Sequence, residues 1–381
     1  MITFLKQNLK GDRGIWIAVL MLCCMSLPVV FSATGSLAWR MDKSANHYLF
    51  SHGITLLLGI VMIFVFHRIN YVKFKKIATW LFMFSIPLLL YTMLFGTELN
   101  QGSRWITIPV INKTFQTSDL ARLSIFMYLS RILSNKQDVI TDFKNGFIPI
   151  LMPVLIMCAL IAPANMSTAL LLGITCCMLF FMGRVQVKHI LLLAFSGLIL
   201  VFSIFLISKA LGVGRGATWE KRIENFMGKG DADDNFQATQ AQIAIANGGF
   251  FGKGPGQSWA RNYLPHPYSD FIFAIIIEEY GIFGGMVLIG IYIFFLWRSI
   301  VIFRRCPYAF GAFLALALSF TLVFQALINM AVNVQLLPVT GLTLPLVSMG
   351  GSSIWFTCIS IGIILSVSNY VDQMEGKQVK A

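Results

Sequence analysis

Three carboxylates mark the start of one long apolar segment of this sequence. Asp270 closes a polar, proline-containing stretch, and Glu278 and Glu279 follow inside an apolar run that continues to about Trp297. A carboxylate exposed to hydrocarbon costs several kcal/mol, so such residues usually face a cavity, a partner or a reacting group. These residues are therefore the first candidates for a functional site.

Helical geometry predicts which of these side chains lie together. At about 100° per residue, Asp270, Glu278, Gly281 and Gly285 share one face, and the two glycines would let a neighbouring helix approach closely. The alternative is structural. Ser269 and Asp270 would then cap the helix N-terminus, and the glutamates would bond to adjacent helices.

A second charged pair, Asp119 and Arg122, lies at the start of another predicted helix. Residues three apart are neighbours on a helix surface. The two side chains either neutralise each other inside the helix bundle or line a polar cavity.

Two further stretches have backbone suited to anions. Gly248–Gly256 is a glycine-rich loop with one cation, Lys253, and exposed amides of this kind can receive phosphate oxygens. The segment Gly350-Gly351-Ser352-Ser353 precedes the last apolar run, where free N–H groups and the helix dipole favour an anion. An ordinary glycine turn and ordinary helix capping are the alternatives.

Composition places all of these residues in a membrane protein. Of 381 residues, 57% are hydrophobic and 12% are charged, with a mean hydropathy of +0.76, whereas soluble domains carry about 25% charged residues. Apolar runs long enough to span a bilayer recur along the chain. Ten spans are predicted: 15–31, 48–66, 77–95, 116–133, 147–162, 166–182, 187–208, 270–297, 308–332 and 351–367. The predicted fold class is an all-α polytopic membrane protein forming a single domain, 1–381.

The distribution of Lys and Arg predicts the orientation of the spans. Most of these residues fall in segments that would be cytoplasmic if both termini were, and the short outer loops hold only Arg40, Lys43, Arg104 and Lys113. The net charge of +13 therefore reflects topology, and no nucleic-acid partner is predicted. The long loop 209–269, between spans 7 and 8, would lie outside. The uncharged segment 333–353 is predicted to be a re-entrant loop.

Four motifs resemble those of the SEDS family (shape, elongation, division and sporulation), the FtsW and RodA type of peptidoglycan polymerase. They are Asn100–Trp105, Phe115–Arg122, Gly248–Ala274 with the following Glu278-Glu279-Tyr280-Gly281, and Pro338–Ser353. The match covers nearly the whole chain, and its pattern is closer to the division-associated FtsW branch than to the RodA branch.

The sequence departs from the family pattern at three places. The family's Glu and Lys are Asp119 and Arg122 here, which keeps the charges but changes their reach. Asn165 stands where the family has a carboxylate, so no role is assigned to it. In the motif before the eighth span, only the Leu264-Pro265 pair and Asp270 are unchanged.

The resemblance implies polymerisation of lipid II, in which a sugar hydroxyl displaces a lipid pyrophosphate from an anomeric carbon with inversion. Pyrophosphate is already a good leaving group, so one general base suffices, and Asp270 is the candidate. Predicted substrate contacts are Lys253, Arg104, Arg122, Gly350, Gly351, Ser352 and Ser353, with Asp119 shaping the cavity floor and Glu278 on the Asp270 face. No cofactor is firmly implied, although a divalent metal ion, Mg or Mn, could neutralise the pyrophosphate.

The resemblance also implies partners and a location. The partners would be a class B penicillin-binding protein, which is a transpeptidase, and other division-machinery membrane proteins. The protein would lie in the bacterial inner membrane at the division septum, with its site facing the periplasm. The rival hypothesis is a lipid II flippase or another ion-coupled transporter, because buried charges and a re-entrant loop suit either class.

Overall fold

The fold is a bundle of long helices with a small sheet at one end. The structure is a computed structural model that describes residues 9–98, 103–108, 113–211, 216–227 and 232–378. The helices are α1 (Arg13–Ala33), α2 (Gly35–Arg40), α3 (Ala45–Phe66), α4 (Val72–Phe95), α5 (Thr117–Asn135), α6 (Ile148–Ile161), α7 (Met166–Met182), α8 (Val187–Leu211), α9 (Gly216–Phe226), α10 (Ala232–Gly248), α11 (Ile272–Arg305), α12 (Ala309–Asn333) and α13 (Ser352–Gln378). The strands are β1 (Thr97–Glu98), β2 (Ser103–Ile108) and β3 (Lys113–Gln116).

All ten predicted spans coincide with helices, namely α1, α3 to α8 and α11 to α13. Among the described residues, eight helical segments are long and apolar enough to cross a membrane, and α7 is a shorter apolar helix. The remaining predicted span, α5, carries three charged side chains and still lies inside the bundle. Its Arg131 donates hydrogen bonds to Thr79 Oγ1 (2.8 Å) and Lys75 O (3.1 Å) on α4, which compensates for burying the guanidinium.

The all-α prediction missed one feature, a three-stranded antiparallel sheet in the order β1-β2-β3. Trp105 pairs with both Thr97 and Gln116, so the sheet joins the end of α4 to the start of α5. The strands are short, and the sequence between the spans was interpreted only as a loop. Because β3 runs directly into α5, the sheet fixes the position of the first turns of α5, which carry Asp119 and Arg122.

One helix lies at the centre of the bundle and another at its edge. Buried residues make up 83% of the apolar stretch of α12 but only 11% of that of α8. The side chains of Gln325, Asn329 and Asn333 are all buried on α12, and their four-residue spacing puts them on one face. A polar row in the most buried helix must be satisfied by neighbouring groups.

The prediction that Asp270 begins the eighth helix is wrong. Helix α11 starts at Ile272, and the side chain of its N-cap residue, Phe271, makes no capping hydrogen bond. The helix is also broken at Gly281, whose φ of 71° lies in the left-handed region. Asp270, Glu278, Gly281 and Gly285 therefore do not form one continuous helical face.

Loop backbone lies against this break, where the sequence predicted a neighbouring helix. A Cβ at Gly281 would come within 2.1 Å of Phe250 O, so only glycine fits. The loop also replaces lost helical hydrogen bonds: Lys253 N donates to Glu278 O and Gly254 N to Glu279 O, each at 2.9 Å. The kink and the glycine loop thus form a single unit.

Two long connections complete the chain. Loop 209–269 contains α9 and α10. Segment 334–351, described throughout, contains no helix or strand. These connections and the sheet emerge from one end of the bundle, which we call the loop face.

Candidate active site

A cavity of about 840 Å³ opens at the loop face. This volume lies within the range of about 300–1,000 Å³ that is typical of small-molecule sites. Its walls come from the sheet, α5, α7, α9, α10, the 266–270 loop and segment 339–353. We call it the main cavity, and it contains Asp270, Asp119 and Arg122 as well as Gly350, Gly351 and Ser353.

The backbone of Asp270 is held in place by α12. The side-chain amides of Asn329 and Asn333 each donate to the Asp270 carbonyl oxygen at 2.9 Å. Asn333 Oδ1 also accepts from Ala274 N at 3.1 Å, within the first turn of α11. Two buried amides therefore fix both the end of the loop and the start of the helix.

The residues before Asp270 are fixed from the opposite side by segment 344–349. Ser348 Oγ donates to Ser269 O at 2.6 Å, and Met349 N donates to Tyr268 O at 2.9 Å. Because every carbonyl from Tyr268 to Asp270 is engaged, the Asp270 side chain has a defined direction into the main cavity. Pre-organisation of this kind is what a reacting carboxylate requires.

The surroundings of Asp270 alter its acidity. Burial raises the pKa of the Asp270 carboxyl, and its own backbone amide, His266 and Arg222 partly oppose that rise. The side chain is dehydrated by the protein packed around it and still reaches the open cavity, since the residue is only half-buried by surface area. A raised pKa brings a carboxylate closer to the range in which a general base is effective.

The same α12 face holds the opposite wall of the main cavity. Gln325 Nε2 donates to Thr343 O at 2.8 Å, and Asn329 Nδ2 donates to Leu342 O at 2.7 Å. Gln325 Oε1 accepts from Arg122 Nη1 at 2.7 Å. The row of amides on α12 therefore links Asp270, segment 342–343 and the α5 pair. Amides at i, i+4 and i+8 in an apolar helix are a readable signal that our sequence interpretation did not use.

Asp119 and Arg122 satisfy both hypotheses made for them. Arg122 Nη2 donates to Asp119 Oδ1 at 2.6 Å, so the charges neutralise each other, and both residues line the main cavity. Asp119 Oδ2 and Arg122 Nε are buried without a protein hydrogen-bond partner among the described residues. The pair thus keeps some capacity to bond a ligand.

The glycine–serine segment before α13 is divided between two roles. Gly350, Gly351 and Ser353 line the main cavity. Ser352 does not line it, and its hydroxyl instead accepts from Gln116 N at 3.2 Å. Ser352 therefore ties the start of α13 to the sheet.

Two predicted substrate contacts lie away from the main cavity. Glu278 is fully buried and accepts from Lys253 Nζ (2.9 Å), Ser258 Oγ (2.6 Å), Trp259 N (3.2 Å) and Ala260 N (3.1 Å). The structure thus pairs Lys253 with Glu278 and brings neither to Asp270. The break at Gly281 and the folding of loop 249–260 onto α11 explain the difference, because a regular helix had been assumed.

The outer-loop motif contributes an aromatic residue to the main cavity. Trp105 lines it from β2. The backbone of Arg104 lies on the same strand, but its side chain is outside the described part of the chain. Arg104 as a phosphate contact stays a prediction.

Sequence reasoning also missed polar residues that line the main cavity from α7, α9 and α10. Arg222 reaches it from α9 and Gln237 from α10, and Asn165 lies beside Thr168 at the start of α7. Asn165 Oδ1 accepts from Thr168 N at 3.4 Å and so caps the start of α7. Local sequence could not show which polar side chain of α9 would fold over the cavity.

The described residues do not form a ready-made metal site. No three side chains of His, Cys, Asp or Glu in these ranges lie close enough to hold an ion together. In the described lining of the main cavity, Asp119 is engaged by Arg122 and Asp270 is the other carboxylate. Mg²⁺ is commonly held by one or two carboxylates together with substrate phosphates, so an ion here would need the substrate pyrophosphate as well as Asp270.

Comparison with known proteins gives consistent matches over nearly the whole chain. The family model of FtsW, RodA and SpoVE, described as cell cycle protein, matches residues 13–373. Stage V sporulation protein E of Bacillus subtilis is 32% identical over 378 residues, covering 96% of this chain and 98% of that protein. A probable peptidoglycan glycosyltransferase FtsW of Geobacter sp. is 32% identical over 368 residues, covering 94% and 96%.

One solved structure has the same fold. It comes from a study of how a peptidoglycan synthase complex coordinates polymerization and crosslinking, and it matches with a TM-score of 0.73 at 22% identity. The match covers 95% of this chain and 99% of the other. The overall helical fold is therefore shared with that chain.

Proposed function

This chain belongs to the FtsW, RodA and SpoVE family and is a peptidoglycan glycosyltransferase, and we propose that Asp270 is its general base. The main cavity is where the two sugar substrates meet. The observation that carries the proposal is a carboxylate that points into this cavity while its backbone is fixed by two buried asparagines.

The reaction needs one proton acceptor. Asp270 takes the proton from the attacking sugar hydroxyl as that oxygen forms a bond to the anomeric carbon of the donor. The bond from this carbon to the pyrophosphate oxygen breaks, and the electron pair leaves with the lipid pyrophosphate. Attack and departure on opposite faces invert the anomeric configuration. The protein must therefore supply a base on one side and positive charge on the other.

Lipid II is the proposed substrate, because the main cavity lies at the loop face. A lipid-linked sugar would have its headgroup at this level and its chain in the bilayer. The few Lys and Arg residues in the short outer loops support placing this face in the periplasm. The relatives named FtsW and stage V sporulation protein E support a role in septal synthesis at division.

The proposed partner is a class B penicillin-binding protein. The solved complex with the same fold couples polymerization to crosslinking, and crosslinking is transpeptidase chemistry. We extend the same kind of assembly to this chain, together with other membrane proteins of the division machinery.

Reconstitution tests the proposed function against the flippase hypothesis. The full-length protein and its transpeptidase partner, in liposomes with fluorescent lipid II, are expected to produce long glycan strands and to release undecaprenyl pyrophosphate. A chelator arm measures dependence on divalent ions, and a dithionite-quenching arm measures lipid flipping. Flipping without strand synthesis would overturn the proposal.

The pH dependence of polymerisation follows from the surroundings of Asp270. A base must be ionised, so kcat/KM should fall as the pH drops through the raised pKa of the Asp270 carboxyl. The midpoint of this acid limb should lie above the ordinary aspartate pKa of about 3.9. A rate profile measured at constant ionic strength checks it.

His266 is the control, because it lines the main cavity with Asp270 and opposes the rise in the pKa of that carboxyl. In a His266→Asn variant the acid limb should persist and move to higher pH, since a cation that lowers the pKa of Asp270 has been removed. Loss of the limb in this variant would assign the titration to the histidine.

A further inference from the structure

A second cavity of about 410 Å³ adjoins the main cavity. It lies between α9, α10, the end of α12 and segment 335–339, and we call it the side cavity. The two cavities share Arg222, Gln237 and Val339. A ligand bound at Arg222 could therefore reach Asp270 with one end and occupy the side cavity with the other.

The charge of the side cavity favours an anion. Its described lining contains two cations, Lys221 and Arg222, and no carboxylate. The amides of Asn225, Gln237 and Gln335 supply further hydrogen-bonding groups. By contrast, the main cavity contains two carboxylates, Asp119 and Asp270. An anionic group is therefore better accommodated on the side-cavity side of Arg222.

Arg122 and Arg222, the arginines in the described lining of the main cavity, differ in how much of their charge is already used. Arg122 is paired with Asp119 at 2.6 Å and bonded to Gln325 at 2.7 Å. Arg222 makes no hydrogen bond or ion pair of standard length within the described ranges, although it is half-buried. It acts on Asp270 only through space. The Arg222 guanidinium keeps its donors for a ligand, and its planar fork suits phosphate oxygens.

We propose that Arg222 and the side cavity bind the pyrophosphate of the donor lipid, the group that leaves when Asp270 activates the acceptor. This assignment rests on the proposed function. It places the base and the leaving-group cation on different parts of the wall with the anomeric carbon between them, as inversion requires. It also replaces Lys253, which is bonded to Glu278, as the main cation of the reaction.

The mouth of the side cavity suits the rest of a lipid pyrophosphate. Phe226 and Leu337 line it and are 49% and 40% exposed, and Leu336 beside them is 72% exposed. An exposed apolar rim next to an anion site fits an isoprenyl chain that leaves the pyrophosphate toward the bilayer. Free pyrophosphate would gain nothing from this rim.

Binding measured without turnover tests the proposal. The full-length Asp270→Asn protein in nanodiscs is titrated with undecaprenyl pyrophosphate, and inorganic pyrophosphate is the second probe. Adding Arg222→Gln should weaken undecaprenyl pyrophosphate binding by about tenfold or more, because a charge-assisted bidentate contact is lost. Arg222→Lys should recover part of the affinity by restoring the charge without the fork.

Arg40→Gln is the matched control. It removes the same charge from an exposed residue of the loop face that lines neither cavity, and the affinity should stay within about twofold. Unchanged melting temperatures would exclude misfolding. Inorganic pyrophosphate should bind less tightly than the lipid form.

The outcomes separate the two proposals. Equal undecaprenyl pyrophosphate affinity in the Arg222→Gln and Arg40→Gln proteins would overturn the pyrophosphate subsite, whatever the role of Asp270. Continued strand synthesis by the single Asp270→Asn variant would instead show that Asp270 is not the general base, and the binding result would still hold. If Arg222→Gln lowers the affinity for the lipid and the inorganic probe equally, and the two bind equally tightly, the anion site stands. The apolar rim is then not the exit of the isoprenyl chain.

Discussion

The Asp270→Asn protein is expected to polymerise lipid II about 10²- to 10⁴-fold more slowly than the wild type, the usual contribution of a general base. Asparagine keeps the size of the side chain and cannot accept the proton. The carbonyl of residue 270 would still be bonded to Asn329 and Asn333. Single-turnover strand synthesis with fluorescent lipid II, in the presence of the transpeptidase partner, measures the effect.

The stability of this variant distinguishes lost chemistry from lost structure. Because burial raises the pKa of Asp270, its ionised form destabilises the folded state as the pH rises through that pKa. Removing the charge should therefore leave the melting temperature at neutral pH unchanged or slightly higher. Strand synthesis at the wild-type rate, or a large fall in melting temperature with the loss of rate, would contradict the assignment.

Asp270→Glu provides a matched comparison. Glutamate keeps the charge but lengthens the side chain by one methylene group, toward Gly341, where a Cβ would already lie 4.0 Å from Asp270 Oδ2. The variant should retain part of the rate, with the remaining loss due to position. A rate as low as that of the asparagine variant would indicate that geometry is as demanding as charge.

Sequence patterns were sufficient for the spans because bilayer thickness fixes their length and hydropathy. Every predicted span coincides with a helix. The short sheet was missed because its strands are short and the residues between them follow no periodic pattern. Nothing in the sequence therefore indicated which strands would pair. Trp105 reaches the main cavity only through that pairing.

The site itself was only partly readable, since long-range packing decides which charges are free. Asp270 stands out as a carboxylate beside an apolar run. The spacing of three residues indicated the Asp119–Arg122 pair. Nothing local shows that Arg222 keeps its donors, or which loops the amides of Gln325, Asn329 and Asn333 bind. The assignment of Lys253 and Glu278 failed because helical geometry was extended across Gly281, where the backbone leaves the helical region.

The kinked part of α11 gives Glu278 a structural role that is distinct from the reaction. Its carboxylate accepts four hydrogen bonds, all from the loop between Lys253 and Ala260. Neighbouring Glu279 accepts from Ser32 Oγ on α1 and from Ser258 N. The two carboxylates thus fasten the loop that precedes Asp270 to the helix that follows it.

Glu278→Ala is therefore expected to destabilise the protein by about 3–5 kcal/mol, the usual effect of removing one partner from a buried charged network. Ser258 Oγ and the amides of Trp259 and Ala260 would lose their acceptor. Lys253→Met is the comparison, because it removes the cation but leaves the buried Glu278 carboxylate its hydrogen bonds from Ser258, Trp259 and Ala260. Its cost should be smaller than that of Glu278→Ala. Thermal unfolding in detergent compares the two variants. A Glu278→Ala protein that melts like the wild type but makes strands slowly would contradict this structural role. It would support the sequence-based prediction that Glu278 contacts the substrate.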